Sequence, residues 1–487
     1  MVGRSADTIP RMTRNVASAS IPAAAAIVVA PGRAGAALAV ALLVAASCAL
    51  PACSHFRPIR ETEPPAKPFL NGTDLDGWVR VNCWDDTFQV RDGMLYCTGQ
   101  PTGFLRSERM YEDFELEFDW KHESPNGNAG LFVWSDPVPS PAQVMFPRSI
   151  EVQIMHTDDV KDKEGRLLYT GQGDVFSIWG ATMTPLAPHP AGWERTLPSA
   201  RVTKPAGEWN HYKVTGRGGD LTVEINGTQV SGCKGASPRK GYICLESEGS
   251  PIWFRNMVCR SIPPAAPAGP REAAMDGNGM KPLFDGRTLA GWKEVEGKEG
   301  HWRFEDRVLR YDGKGDTLWS TEEFDSFELV VDWRWTKDHQ GKMMRPLFDG
   351  EGNEQKNPDG SVKMVEIEER DSGIYLRGSS KAQVNIWSWP VGSGEVWGYR
   401  TDTQMAASVR KACTPRLPAD RPVGEWNRFV IRMIGDRLNV WLNGQHVILD
   451  ATLPLVPARG PIALQSHGCP IEFQNAFVRR IEWRGEQ

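Results

Sequence analysis

The chain has 487 residues, of which 61 are acidic and 56 are basic, so its formal net charge is −5. It contains no dense run of Lys and Arg, which argues against a nucleic acid as its partner. Its 19 Trp, 18 Phe and 48 Gly favour a β-rich secreted protein with aromatic rings available to stack on sugars, although most such rings in a protein belong to its core.

The N-terminal segment has the features of an export signal. Arginines precede an uncharged apolar run over residues 34–46, which has the length of a signal-peptide core and is too short to span a bilayer. Leu50-Pro51-Ala52-Cys53 resembles a bacterial lipobox, and Cys48 is a weaker alternative. We therefore expect a signal and lipobox region over residues 1–53 and a Pro-rich tether over residues 54–67.

This N-terminal segment also predicts where the protein is found. Lipidation of Cys53 makes it a lipoprotein of the periplasm, the outer membrane or the cell surface, in contact with the membrane through its lipid anchor. Ordinary signal-peptidase cleavage nearby is the alternative.

The rest of the chain repeats itself. Five motifs occur twice in the same order: Leu70-Asn71-Gly72 and Phe284-Asp285-Gly286, Phe114-Glu115-Leu116 and Phe327-Glu328-Leu329, Gly207-Glu208-Trp209-Asn210 and Gly424-Glu425-Trp426-Asn427, Asn226-Gly227 and Asn443-Gly444, Phe254-Arg255-Asn256 and Phe473-Gln474-Asn475. A repeat of this length is a whole domain. We predict domain one over residues 68–262, a Pro/Ala/Gly linker over residues 263–280 and domain two over residues 281–484. The linker composition predicts few contacts, so the domains are expected to fold independently.

Within each domain the apolar residues have a period of two. Phe114, Leu116, Phe118 and Trp120 alternate with acidic residues, as in a strand with one buried face. The Asn-Gly pairs are typical of type I′ hairpin turns. No stretch has a sustained helical period, and the pattern predicts an all-β, two-sheet sandwich of the jelly-roll kind.

The ordered motifs resemble the 3-keto-disaccharide hydrolase domain, a family long catalogued as a domain of unknown function. The resemblance covers both repeats. It implies two tandem concanavalin A-like lectin/glucanase sandwiches in an exported bacterial protein that acts on 3-keto-glycosides or disaccharides. The family's site signatures are [Asn/Asp]-x-Gly-[Ile/Leu]-[Phe/Tyr]-x-Arg, Glu-x-Gln and a late Leu-Gln-x-His-Gly.

Neither repeat carries the complete set of signatures. Domain one has Glu151 and Gln153 in the Glu-x-Gln motif, but Trp134 replaces the arginine, and Glu246 and Glu248 replace the late Gln and His. In domain two the first and last signatures are intact, and their members are Asp371, Gly373, Arg377, Gln465 and His467; Gln383 and Asn385 replace Glu-x-Gln.

A 3-keto group acidifies the hydrogen at C2, so a 3-keto-glycoside can be cleaved by removal of that proton, loss of the C1 substituent and later addition of water. This reaction needs a base and fixed hydrogen-bond donors. The expected base is Glu151 or His467. The expected sugar-binding residues are the polar Gln153, Arg377, Gln383, Asn385 and Gln465, as fixed groups on strands, and Trp387, in a Trp-rich loop directly after the strand that contains Gln383.

Several alternatives stay open. A non-catalytic carbohydrate-binding (lectin-like) surface protein is the main rival to the hydrolase, since a fold does not dictate a function. A divalent metal is a possible cofactor, with His156, Asp158, Asp159 and Asp162 as its candidate ligands. A solvated loop explains these four residues better. The acidic residues Glu366, Glu368, Glu369 and Asp371 are interpreted as a solvated face. Five cysteines in repeat one leave at least one free thiol.

Overall fold

The computed structural model describes residues 67–141, 145–293, 300–338, 341–349 and 353–482. The predicted signal region, Cys53 and nearly all of the tether lie outside these residues. Both repeats belong to one compact unit. None of the helices in the described ranges is long and apolar enough to cross a membrane.

Domain one is built from antiparallel strands in two main sheets. The larger sheet has the order β12-β16-β15-β14-β6-β18-β4-β3 with β1 beside β18, and the second has the order β13-β11-β8-β7-β17-β5-β2. The strands, in chain order, are β1 Lys67–Pro68, β2 Trp78–Val81, β3 Phe88–Arg91, β4 Met94–Cys97, β5 Gly103–Ser107, β6 Asp113–His122, β7 Gly130–Ser135, β8 Ser149–Ile154, β9 Val160–Lys161, β10 Leu167–Tyr169, β11 Gln172–Ile178, β12 Thr182–Pro185, β13 Arg195–Thr196, β14 Asn210–Arg217, β15 Asp220–Ile225, β16 Thr228–Ser237, β17 Tyr242–Ser247 and β18 Ile252–Ile262.

Domain two repeats this arrangement. Its larger sheet has the order β20-β21-β32-β23-β28-β29-β30 with β19 beside β32, its second sheet has the order β22-β31-β26-β27, and β24 and β25 form a separate hairpin. The elements are β19 Lys281–Pro282, β20 Trp302–Glu305, β21 Val308–Tyr311, β22 Leu318–Phe324, β23 Phe327–Trp335, β24 Lys342–Pro346, β25 Met364–Glu368, β26 Asp371–Leu376, β27 Ser379–Trp387, α1 Trp397–Arg400, α2 Ala407–Ala412, β28 Asn427–Ile434, β29 Arg437–Leu442, β30 Gln445–Thr452, β31 Gly460–Leu464 and β32 Ile471–Arg480.

The apolar residues that alternate along the strands form the core, as expected. In β6, the side chains of Phe114, Leu116, Phe118 and Trp120 are at most 1% exposed, and they pack against the second sheet of domain one. Domain two has an equivalent core between its two sheets. The all-β prediction of two tandem concanavalin A-like jelly-roll sandwiches is therefore confirmed.

The segment between the repeats is packed, not free. Arg239 donates to the carbonyl oxygen of Ala266 at 3.1 Å, and Arg106 donates to that of Met280 at 2.9 Å. Ala274 and Met280 are buried. The expectation of a linker with few contacts is thus wrong, because buried and half-buried arginines of domain one bind its backbone carbonyls.

The outer face of the second sheet of domain one packs against domain two. Phe104, Phe132 and Tyr242 lie on the face that points away from the core of domain one, and they form a buried cluster with Val330 and Phe477 on the larger sheet of domain two. We call this the inter-repeat cluster. Arg428 of domain two also donates to the carbonyl oxygen of Pro139.

The sequence contains a signal for this contact. On β6 and β14 of domain one, Glu117 and Lys213 face outward and form an ion pair at 3.6 Å. At the matching positions of β23 and β28, domain two has Val330 and Val430, both in the inter-repeat cluster. The replacement of an ion pair by two valines indicates that this face of domain two packs against domain one and not against solvent.

The seven cysteines in the described part of the chain form no disulfide, and all but Cys83 are buried. Burial raises the pKa of their thiols, for example that of Cys97 to about 11, so they act as small apolar core residues.

Candidate active site

Strand register shows that the two repeats place polar side chains at equivalent positions. Tyr375 on β26 pairs with Gln383 on β27, and Phe132 on β7 pairs with Glu151 on β8. The same alignment sets five positions of domain two against five of domain one: Asp371 and Asn128, Gln383 and Glu151, Asn385 and Gln153, Gln465 and Glu246, His467 and Glu248.

In domain two these side chains line an open groove of about 370 Å³. It lies on the outer face of the sheet β22-β31-β26-β27, because alternate residues of β27 (Ala382, Val384 and Ile386) point into the core. We call it the domain-two groove, and its lining includes Asp371, Tyr375, Ser380, Gln383, Asn385, Trp387, Trp389, Trp397, Gln465 and His467.

Asp371 and His467 form a carboxylate–imidazole pair in this groove. The Nδ1 atom of His467 lies 3.6 Å from Oδ2 of Asp371, and their side chains are 54% and 18% exposed. Burial raises the pKa of Asp371 to about 6, although the nearby His467 opposes that shift. The carboxyl group of Asp371 therefore changes protonation near pH 6, and the imidazole of His467 is open to the groove, as proton transfer to a ligand requires.

Amide side chains form the floor of the groove. Nε2 of Gln383 donates to Oε1 of Gln465 at 2.5 Å, and the backbone N–H of Gln465 donates to the carbonyl oxygen of Gly373 at 2.8 Å. Gly373 leaves room for Gln383, since a Cβ there would lie 2.2 Å from its Nε2. Both amides are therefore held by neighbouring strands, and their orientation does not depend on a loop.

One wall of the groove is aromatic. The rings of Trp387 and Trp389 are parallel with centroids 4.2 Å apart, and the guanidinium of Arg345 lies 3.9 Å from the centroid of Trp389. Trp397 completes the wall and is 48% exposed. An apolar wall beside amide groups suits a sugar ring, whose C–H faces stack on aromatic rings while its hydroxyl groups form hydrogen bonds.

Arg345 belongs to an arm that has no counterpart in domain one. In domain one, seven residues separate Trp120 from Asn128, whereas residues 334–370 separate the matching Trp333 from Asp371. The arm contains the hairpin β24–β25, and Arg345 forms a two-point ion pair with Glu369, with its shorter distance 2.6 Å. The arm thus adds a charged edge beside the aromatic wall.

The equivalent cluster in domain one is acidic and buried. Glu151, Gln153 and Glu246 are at most 7% exposed. Asn128 connects the cluster, because it accepts from Gln153 at 2.8 Å and donates to Glu248. Burial raises the pKa of Glu151 to about 8, and the nearby Glu248 adds to this shift; burial also raises the pKa of Glu246 and Glu248.

The acidic cluster lies beside the inter-repeat cluster. Glu151 pairs in register with Phe132, and Glu246 pairs with Phe104; both phenylalanines are covered by domain two. The polar face that is open in domain two is therefore closed in domain one.

Arg377 lies outside the groove, which corrects the prediction that it binds sugar. Its guanidinium donates to the carbonyl oxygens of Gly435 at 2.6 Å and Pro457 at 3.3 Å. The strand alternation ends at Leu376, where the register shifts, and Arg377 has a φ of 51°. Trp134, its counterpart, has a φ of 52° and donates to the carbonyl oxygen of Glu112 at 2.8 Å. This position closes the end of the sandwich in both repeats.

The other predicted polar clusters have structural explanations. Asp159 pairs with Arg201, Asp162 pairs with Arg166 at 2.6 Å, and His156 accepts from the backbone N–H of Ala206 at 3.1 Å. In the described residues no group of three or more His, Cys, Asp or Glu side chains could hold a metal ion. The acidic strand interpretation is wrong for Asp371, which lines the groove, because β25 ends at Glu368 and a new strand begins at Asp371.

Several solved structures are similar to part of this chain. Similar solved structures include two Parabacteroides distasonis proteins provisionally named glycosyl hydrolases. The first is 20% identical, and the match covers 41% of this chain and 94% of that protein with a TM-score of 0.32. The second is 24% identical, and the match covers 41% of this chain and 100% of that protein with a TM-score of 0.30. The carbohydrate-binding module CBM66 from Bacillus subtilis is 13% identical over 38% of this chain and 96% of its own, with a TM-score of 0.27. No curated protein matches the chain significantly.

The fold and the groove define a tandem pair of concanavalin A-like sandwiches, the second of which has an open groove lined by polar and aromatic side chains. The model of the 3-keto-alpha-glucoside-1,2-lyase-like domain matches residues 65–260 and again residues 279–479. The chain therefore belongs to this family, in two tandem copies, and the predicted family resemblance is confirmed.

Proposed function

We propose that domain two cleaves 3-keto-glycosides by elimination, with His467 as the base. The observation that carries this proposal is the Asp371–His467 pair in an open groove with aromatic and amide walls. Family membership supports a carbohydrate as the ligand.

The proposed reaction balances as follows. His467 takes the C2 proton, and the C–H electron pair forms an enolate with the 3-keto oxygen. The enolate then reforms the ketone as a C1=C2 double bond forms and the C1–O bond breaks, and the leaving oxygen takes up one proton. Addition of water across C1=C2 gives the free 3-keto sugar. Asp371 stabilises the imidazolium that forms in the first step.

The remaining groove residues hold the sugar in this proposal. Trp397, the exposed ring of the wall, covers its apolar face, and Gln383, Asn385 and Gln465 bind its oxygens. Gln383 and Asn385 lie on β27 and Gln465 directly follows β31, so the amides keep one orientation while charge develops on the 3-keto oxygen.

The same proposal gives domain one a supporting role. Glu151 and Gln153 remain candidates by residue type, but their burial beside side chains covered by domain two leaves the chemistry to the domain-two groove. We also propose export and lipidation at Cys53, which would place this groove outside the cytoplasm; mass spectrometry of the mature N-terminus tests the anchor.

The experiment uses the full chain and a nitrophenyl 3-keto-glucoside. Release of nitrophenolate from this substrate, but not from the same glucoside without the 3-keto group, is expected. Deuterium at C2 should slow release, because the C2–H bond breaks in the proposed step. Parallel assays with a chelator test the metal requirement.

The outcomes are distinct. Saturable sugar binding without release of nitrophenolate would mean that the protein is a carbohydrate-binding protein and not an enzyme. Release at equal rates from the two glucosides would exclude the elimination. If the chain shows no binding and no release, the groove does not have a carbohydrate function.

A further inference from the structure

A second cavity, of about 420 Å³, lies between the repeats and away from the domain-two groove. Domain one contributes Trp78 and Arg80, and domain two contributes Phe284, Arg307 and Asn475. We call it the inter-repeat cavity. Its volume is in the range of small-molecule sites.

Arg307 reaches this cavity from a strained backbone position. It follows Asp306 in the hairpin between β20 and β21, and its φ is 63°. The matching turn of domain one has Asp92 and Gly93, and Gly93 has a φ of 75°. Left-handed backbone favours glycine because a Cβ is crowded there. Domain two therefore has a costly arginine where domain one has the residue that the turn prefers.

The side chain of Arg307 has no partner that would offset this backbone strain. Among the described residues its guanidinium forms no hydrogen bond and no ion pair, and burial lowers its pKa. A cation that is strained in its backbone and unpaired in its side chain indicates a ligand that is bound part of the time.

Two further cations point to the same space. Arg80 lines the cavity and donates to the carbonyl oxygens of Asp85 at 3.1 Å and Phe88 at 3.4 Å, and Lys281 is the third. Three carboxylates, Asp85, Glu108 and Asp285, also line the cavity, and in the described part of the chain none of them forms an ion pair with Arg307. The side chain of Asp85 is fully in solvent, and its nearest approach to Arg80 is 3.9 Å, while Asp285 accepts hydrogen bonds from its own turn at Thr288.

Asn475 provides an unpaired acceptor in the wall. Its Nδ2 donates to Asp332 at 2.7 Å, but its Oδ1 is buried without a hydrogen-bond partner, and the residue is 4% exposed. The counterpart Asn256 makes the same bond to Asp119 and is exposed to solvent. Domain one thus covers Asn475 and leaves its Oδ1 buried without a donor.

We propose that the inter-repeat cavity binds an acidic monosaccharide. Its carboxylate meets the guanidinium of Arg307, and the ring packs beside Trp78 and Phe284. This site is separate from the domain-two groove, so the inference does not depend on turnover there.

The test is isothermal titration calorimetry of the full chain with glucuronate, glucose and inorganic phosphate. Wild-type protein should bind glucuronate more tightly than the neutral sugar or the anion without a ring. Arg307→Gly should weaken glucuronate binding at least about tenfold, the effect of losing one charged hydrogen bond. Its melting temperature should stay the same or rise, because glycine suits the turn.

Two controls locate the site. Arg303→Ala changes an exposed arginine of the same hairpin and should not alter binding. Trp389→Ala changes the domain-two groove and should not alter glucuronate binding either, whereas Arg307→Gly should leave cleavage of the 3-keto-glucoside intact. Absence of glucuronate binding, equal affinity for phosphate, or unchanged binding in Arg307→Gly would each overturn the proposal.

Discussion

At the residue scale, His467 differs from the other histidines of domain two by its surroundings. His301 also pairs with an aspartate, Asp312, at 3.0 Å, but that pair is on the β20–β21 side of the sandwich and is not part of the groove. Variants of the two histidines therefore distinguish the effect of a His–Asp contact from the effect of its position in the groove.

We expect His467→Ala to lower kcat on a 3-keto-glucoside by about 10²–10⁴-fold, the usual effect of losing a proton-transfer residue. The side chain is half exposed, so stability should change little. His301→Ala is the matched control and should keep near wild-type turnover. Comparable rates in wild type and His467→Ala, measured with steady-state kinetics, would place the base elsewhere.

Glu151 makes a different prediction, about stability and pH. Its pKa is raised to about 8 from a reference of 4.5, first by burial and then by Glu248. Between these values the folded state binds more protons than the unfolded state. The free energy of unfolding should therefore fall as pH rises through this window, by up to about 1.4 kcal/mol per pH unit.

Glu151→Gln removes this titration, so we expect the variant to lose less stability than wild type between pH 5 and pH 8. Glu208→Gln, at an exposed glutamate, is the control and should follow wild type. Urea unfolding at the two pH values measures the difference. Identical pH dependence in wild type and Glu151→Gln would mean that the buried carboxyl does not carry the proton assigned to it.

At the element scale, the family signatures predicted most of the groove but not its edges. Gln383, Asn385 and Trp387 share one face of β27, as residues two apart must, although the sequence predicted a loop at Trp387. The first signature failed for Arg377, because the left-handed backbone after Leu376 takes its side chain out of the sheet face. The acidic strand interpretation missed Asp371, since the acidic residues before it belong to another strand.

The aromatic wall can be tested at its exposed ring, Trp397, at the start of α1. We expect Trp397→Ala to raise KM about three- to tenfold, because a lost stacking contact is worth about 0.5–1.5 kcal/mol, while kcat changes less. Trp253→Ala is a control, since Trp253 contacts Tyr96 on domain one at a ring distance of 4.7 Å. An unchanged KM for Trp397→Ala would remove this ring from the sugar-binding wall.

At the scale of the whole molecule, the motifs identified both sandwiches but not how they meet. Each motif describes one repeat, whereas the inter-repeat cluster depends on differences between the repeats, such as Val330 and Val430 against Glu117 and Lys213. A comparison of outward-facing positions in the two copies could have found it.

This contact changes what is expected of the separate domains. A chain of residues 68–262 alone would expose Phe104, Phe132 and Tyr242, which are fully buried in the whole molecule. We expect it to melt at a lower temperature than the full chain and to bind a hydrophobic dye. Replacing Phe104 and Phe132 by serine in the same fragment should reduce dye binding. A fragment as stable as the full chain, with no dye bound, would restore the independent-folding expectation.

The contact between the repeats also has a direction. The outer face of one second sheet receives the back of the next sandwich, so the two surfaces that meet are different, as in a head-to-tail interface. Such an interface leaves the outer face of the last second sheet uncovered, and in this chain that face has the domain-two groove. A third copy added by the same rule would cover the groove as domain two covers domain one.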